Sequence, residues 1–312
     1  MKKFVRLFCL FFIFFSIMAC NKDVKTFTYV NFSILFDETQ ERLNNTGDPA
    51  SIPAGYAAQT PEMKFMSVYH IELSPDEFTP FKGGQIVYKA PETKDGGSLS
   101  IDHDSSVITS EGLVFYTFNI SKLAPGTYNY LRVGVAYQEF EVLFNLLNIP
   151  SVGNIYDQTG TVASFIGYRT YIRNLTIKNL NTDIFADKEQ GFWGIETALT
   201  APNDIYNTIY TGQSPAGTTT VVNPIASTSP LPPGTCIVTG KFATPLVIAG
   251  NESEDADQSD LTLSFSFSTN QSFEWVDTNT NGQWDVDAVN PALTEQVIDM
   301  GLRGMIPFWE FE

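Results

Sequence analysis

Apolar and polar residues alternate along much of this chain. Phe27 and Tyr29 alternate with Thr26 and Thr28, and the pattern runs on through Phe32, Ile34 and Phe36. Leu261, Leu263, Phe265 and Phe267 alternate with Thr262, Ser264, Ser266 and Ser268. A period of two with hydroxyls on one side predicts half-buried antiparallel strands. The same pattern predicts strands over 63–73, 85–89, 114–120, 127–142, 164–177, 191–199 and 236–248. A long 3.6-period stretch is missing, and one short helical turn is expected at 142–147.

Turn chemistry supports the strands. Leu123-Ala124-Pro125-Gly126-Thr127-Tyr128 recurs in outline as Leu231-Pro232-Pro233-Gly234-Thr235-Cys236. Pro followed by Gly suits a type II turn leading into a strand. The first copy, continued by Asn129-Tyr130-Leu131-Arg132-Val133, resembles an element of bacterial immunoglobulin-like and transthyretin-like sandwiches. The expected fold is therefore mainly β, an antiparallel β-sandwich, in one sandwich or two packed together. Three stretches lack a pattern: 44–60, the polar link 148–160, and about 25 residues of Gly, Ser, Thr and Pro over 211–235. The last is long for a passive connection and is expected to be a surface binding loop or a sleeve over a sheet. A division near residue 150 gives β-rich regions 26–150 and 151–312.

The first twenty residues carry an address. Met1-Lys2-Lys3-Phe4-Val5-Arg6 precedes an unbroken apolar run from Leu7 to Phe15, then Ser16-Ile17-Met18-Ala19-Cys20. A basic start, a short apolar run and a small residue describe a signal peptide over 1–19. The run is shorter than the ~20 residues a spanning helix needs. Cys20 after Ile-Met-Ala resembles the lipobox of bacterial lipoproteins, which implies acylation on sulfur and a tether over 20–25. Lys22-Asp23 resembles the export signals of Bacteroidota surface lipoproteins, which implies the outer membrane.

Loss of Lys2, Lys3 and Arg6 with the leader takes the net charge from −17 to −20. Such acidity excludes nucleic acid and electrostatic docking on anionic lipid. Membrane attachment then rests on the acyl chains, at about 0.8 kcal/mol per buried CH₂. Cys236 is left without an internal disulfide partner and is expected in the core.

The sharpest motif is Asp277-Thr278-Asn279-Thr280-Asn281-Gly282-Gln283-Trp284-Asp285. Oxygen-bearing side chains at loop positions 1, 3, 5 and 9 with glycine at 6 match a calcium loop, because a hard cation takes six to eight oxygens. The stretch resembles calcium loops of extracellular bacterial proteins, with Asp277, Asn279, Asn281, Gln283 and Asp285 as ligands. Position 12 is Ala288, so Asp287 or Glu295 is the candidate to close the site. The competing reading is a hairpin turned at Asn281-Gly282 between strands at Trp275 and Trp284. The carboxylates over 251–260 read as a solvated run.

The two histidines, His70 and His103, meeting across strands beside a carboxylate, would make a copper or zinc site. The order of segments around Tyr69-His70-Ile71-Glu72-Leu73 is similar to MbnP-like copper-associated envelope proteins. Catalytic templates are missing: no H-E-x-x-H, C-x-x-C, G-x-S-x-G or phosphate loop occurs. With 35 acids a glycosidase pair has no distinguishing mark. Trp193, Trp284 and Trp309 are expected in packing rather than on sugars. The expectation is a non-catalytic envelope lipoprotein, structural or binding glycan, protein or a metal ion. The alternatives are a hydrolase of polysaccharide or peptidoglycan and a copper-associated protein.

Overall fold

Alternation becomes strands wherever a neighbour supplies the missing hydrogen bonds. The structure, a computed structural model, describes residues 28–197, 199, 207–215, 217–250 and 260–311. Cys20 with its lipobox and tether, and the acidic run apart from Asp260, lie outside the described residues. In chain order the first strands are β1 (Tyr29–Asp37), β2 (Tyr56–Gln59), β3 (Glu62–Ser74), β4 (Gln85–Lys89), β5 (Glu92–Thr93), β6 (Ser100–Asp102) and β7 (Ile108–Thr109). Next come β8 (Val114–Asn119), β9 (Gly126–Ile149), β10 (Gly153–Phe165), β11 (Arg169–Ile177), β12 (Leu180–Glu189), β13 (Phe192–Glu196) and β14 (Ile209–Gln213). The last are β15 (Ile237–Ile248), β16 (Leu261–Ser268), β17 (Phe273–Val276), β18 (Trp284–Asp287), β19 (Val297–Asp299) and β20 (Met305–Phe311). Only short 3₁₀ turns interrupt them; among the described residues there is no α-helix.

The expected class holds: the protein is mainly β, built of antiparallel sheets layered as in a sandwich. A central sheet has the order β14-β13-β10-β9-β3-β4, with β15 and β18 also on β9 and β7 on β3. A second has the order β20-β16-β1-β8, a third β12-β11-β6-β5, and a small one β19-β17-β2. The contact between β1 and β16 is parallel, with Val30 opposite Leu261 and Phe36 opposite Phe267.

β9 is the spine. Its 24 residues exceed what a flat sheet holds, and it changes partners midway. One edge pairs with β15 up to Gly134 and with β10 from Tyr137; the other pairs with β3, then with β18 from Phe144. At the change of partner the Ala136 carbonyl accepts from both Ile166 and Gly167 amides, at 3.0 and 3.1 Å. Register shifts in β3 between Met63 and Phe65 and again around Val68 curl the sheet there. Gly134 is required at the bend, since a Cβ would come within 2.6 Å of the Tyr69 ring.

Several expectations are corrected. The short helical turn at 142–147 is strand: Val142, Phe144 and Leu146 face the core while Leu143 faces out, so period two continues. The polar link 148–160 is the turn of the β9–β10 hairpin plus most of β10. Residue 150 therefore sits in a hairpin turn, and strands from both sides of it share sheets. The stretch 164–177 is two strands, broken at Ile166–Tyr168. β12 escapes the pattern because Leu180, Thr182 and Ile184 are only half-buried.

The patternless stretch 211–235 begins as the end of β14, and its remainder is a sleeve with its own core. Val222, Ile225 and Ser229 are buried. The Val222 carbonyl accepts from the Thr239 amide at 2.9 Å, and the Val221 amide donates to Asn45 Oδ1 at 2.8 Å. Ser229 Oγ accepts from the Arg132 guanidinium and donates to the Thr79 carbonyl. Arg132 is fully buried against Glu72, Nη1 to Oε1 3.4 Å. Thr220 is held by Asp299 and accepts from Arg303 Nη1 at 2.6 Å.

Candidate functional site

Two places gather polar side chains in a form that can hold a ligand. The first is the 277–285 loop between β17 and β18. The two strands are not the arms of a hairpin: β17 pairs with β2 and β19, and β18 runs parallel to β9. The hairpin reading of this motif is thereby replaced. Asp277 folds the loop over itself, Oδ1 accepting from the Asn281 amide at 3.1 Å and Oδ2 from the Gly282 amide at 3.0 Å. Gly282 has φ +73°, the left-handed conformation that glycine takes freely. Asn281 Oδ1 accepts from the Gln283 amide at 2.7 Å. Asp285 Oδ2 accepts from Nδ2 of Asn279 at 2.6 Å and of Asn281 at 3.2 Å, and Oδ1 accepts from Asn145 Nδ2 at 2.7 Å.

Of the two candidates to close this loop, Glu295 is the one beside it. Its Oε1 accepts from the Thr278 amide at 2.7 Å and its Oε2 from the Asp285 amide at 3.1 Å. Burial holds the Glu295 carboxyl above its ordinary 4.5, with Asp285 adding, against the opposing amide hydrogen bonds. Asp287 is occupied elsewhere, accepting from the amides of Val289 and Asn290 and from Asn148. Asn279 and Asn281 turn their amide nitrogens, not their oxygens, toward Asp285, and Asp277 is engaged with backbone amides. The two Asn amide groups must turn about χ2 to present oxygen in place of nitrogen. Trp284 is core, its indole N–H donating to the Glu295 carbonyl at 3.0 Å and its ring edge-on to Phe273 and Trp193. Trp193 is buried as well, whereas Trp309 is half-buried.

The second place is an open groove on the outer face of the central sheet. Period two puts Tyr137, Glu139 and Glu141 on one side of β9. Phe65 of β3 lies opposite Glu139, and Thr161 of β10 opposite Glu141. Asn174 and Thr176 of β11 and the turn at His103 complete the walls. Two adjoining cavities of about 380 and 690 Å³ share Phe65, Glu139 and Thr176. Tyr137 donates its hydroxyl to Glu139 Oε2 at 2.8 Å. Burial raises the Glu139 carboxyl above 4.5, opposed by that hydrogen bond and reinforced by Glu141 and Glu196. Glu141 is matched by Lys64 Nζ at 3.2 Å and Lys178 Nζ at 4.0 Å.

His103 sits at one end of this groove, its ring 4.9 Å from Tyr137 and 5.0 Å from Phe165. Burial lowers its imidazole below 6.5, against Asp104 and Asp102. Those two carboxylates are held by Arg173, each at 2.9 Å. His70 has different company: its Nε2 is 3.4 Å from Glu72 Oε2 and Phe81 stands edge-on at 5.3 Å. Burial pushes the Glu72 carboxyl up, but His70, the amides of Gly84 and Lys82, and Arg132 outweigh it and hold the carboxyl below 4.5. Among the described residues, no group of three or more His, Cys, Asp or Glu side chains is placed to hold a metal ion. Cys236 is a free, fully buried thiol whose pKa burial drives far up.

Sequence reasoning missed Glu139 and Glu141. Their signal was there as Tyr137-x-Glu139-x-Glu141-x-Leu143, polar residues in step on one face of an aromatic strand. The chain matches no protein-family model, no curated protein and no solved structure.

Proposed function

We propose that this chain is a non-catalytic, lipid-anchored outer-membrane protein that presents an open binding groove and takes calcium in its 277–285 loop. The groove supports the binding reading. A rigid sheet carries side chains of mixed character beside about 690 Å³ of open space, within the 300–1,000 Å³ usual for ligand sites. The Cys20 motif supports the anchor, since an acidic chain has no electrostatic route to an anionic bilayer. Labelling of cells with an alkyne fatty acid tests the anchor. Label is expected on the wild-type chain and on Cys9→Ala but not on Cys20→Ala, and equal label in Cys20→Ala would end this reading.

A second reading, hydrolysis of a polysaccharide, is favoured by one observation. Glu139, whose carboxyl stays protonated above the ordinary range, lies two residues from Glu141 on the same face, as an acid and its partner carboxylate do. Release of reducing ends from polysaccharide, lost in Glu139→Gln, would establish it. The proposed function expects no release.

A further inference from the structure

Charge decides what the groove accepts. Glu141 is balanced by Lys64 and Lys178, and Asp104 by Arg173. Glu139 is nine-tenths buried, and that burial, reinforced by Glu141 and Glu196, raises its carboxyl above 4.5. Four acids, Asp104, Glu111, Glu139 and Glu141, line the two cavities against Lys64 and Lys178, so the groove disfavours a polyanion.

Shape and chemistry add the rest. Phe65 is 43% exposed on the groove floor, a large aromatic face left in water beside polar groups. Glu139 makes one hydrogen bond, from Tyr137 to Oε2; among the described residues nothing meets Oε1. Oε1 keeps contact with water, and a ligand hydroxyl can take that water's place. The exposed Asn174 amide, with two donors and an acceptor, stands across from it on β11. An apolar ring face flanked by neutral donors and acceptors is complementary to a pyranose, which has C–H faces and a hydroxyl rim. Two adjoining cavities make the groove a passage for a chain rather than a pocket for one unit.

We propose that the groove binds a neutral oligosaccharide, with one sugar face stacked on Phe65 and hydroxyls taken by Glu139 and Asn174. This rests on the binding reading above and names its ligand class.

The test uses the full chain in detergent micelles and isothermal titration with neutral hexasaccharides of glucose, mannose, xylose and N-acetylglucosamine. At least one is expected to bind, and oligogalacturonate, an anionic chain of equal length, to bind less tightly. Phe65→Ala, at an exposed position, is expected to weaken binding about tenfold with the melting temperature unchanged. Glu139→Gln, neutral and still a donor, is expected to stay within about threefold, whereas Glu139→Ala loses binding. No binding by any neutral hexasaccharide, binding indifferent to Phe65→Ala, or a preference for oligogalacturonate would overturn the proposal. Fatty-acid labelling at Cys20 that persists beside such a failure would leave an anchored protein with another ligand. Cleavage of a bound hexasaccharide would keep the sugar in the groove and remove the non-catalytic reading instead.

Discussion

The sleeve over 217–235 and the loop over 277–285 differ in construction. Both contain Thr, and both connect strands. The sleeve has no motif, yet its polar groups are met by residues far away: Ser229 by Arg132, Thr220 by Asp299 and Arg303, Val221 by Asn45. The loop has the sharpest motif in the chain, and its Asp and Asn side chains close its tip while Glu295 and Asn145 hold its ends. The sleeve is thus part of the framework. The loop is closed at its tip by its own Asp277 and Asn281 side chains.

The largest test of this contrast is Arg132→Met. It removes the sleeve's anchor at Ser229 and strands Glu72 as a buried charge, and is expected to cost about 3–5 kcal/mol in urea unfolding. For the same reason, excision of 217–230 is expected to yield insoluble chain. A soluble, cooperative product would place the sleeve with the loop after all.

Calcium comes next. At about 100 times its dissociation constant it should add about 2.7 kcal/mol to the folded state. The melting temperature should rise with calcium and fall with chelator, and Asp277→Ala should erase the difference. Melts that coincide with and without chelator would reduce the motif to a turn network.

Thr220→Val separates a single sleeve contact from the whole. Arg303 loses an acceptor while the Thr220 amide keeps Asp299, so about 1–3 kcal/mol is expected by the same unfolding assay. A cost indistinguishable from zero would mean that water replaces the hydroxyl.

The smallest effect belongs to Glu139. Its folded pKa lies above the ordinary 4.5, so the folded chain holds its proton longer than the unfolded one does. Its contribution to stability is therefore greatest below pH 4.5 and is lost as pH rises through the folded value. Glu139→Gln should flatten that part of the stability–pH curve, and an unaltered slope would show Glu139 ionising as it does in water.

The strands legible from sequence are those whose two faces differ. β16 matches its expected bounds because Leu and Phe alternate with Thr and Ser. β12 and the 148–160 segment were hidden because a strand with both faces half-wet has no contrast to read. The 142–147 stretch was misread for the opposite reason, since five of its six residues are apolar and only the neighbours β10 and β18 decide its period. The calcium motif was legible as spacing, while Glu295 joins it through the fold alone. Glu139 is one acid among 35 until Phe65, Tyr137 and Asn174 are folded around it.

The parallel contact of β1 with β16 sets an order of events for a chain made from its N-terminus. Ser33 and Ser264 share a hydrogen bond although they are 231 residues apart. β8 can cover one edge of β1 early, but the other edge has no partner until 261–268 has emerged. At synthesis rates of about 5–20 residues per second, that wait is on the order of ten seconds or more. Phe32 and Ile34 spend it without their cover, so a holding chaperone has its best target in the first strand to appear. The same delay makes the final strands a checkpoint: a chain truncated before 261 leaves an open apolar edge that proteases and neighbouring chains can read.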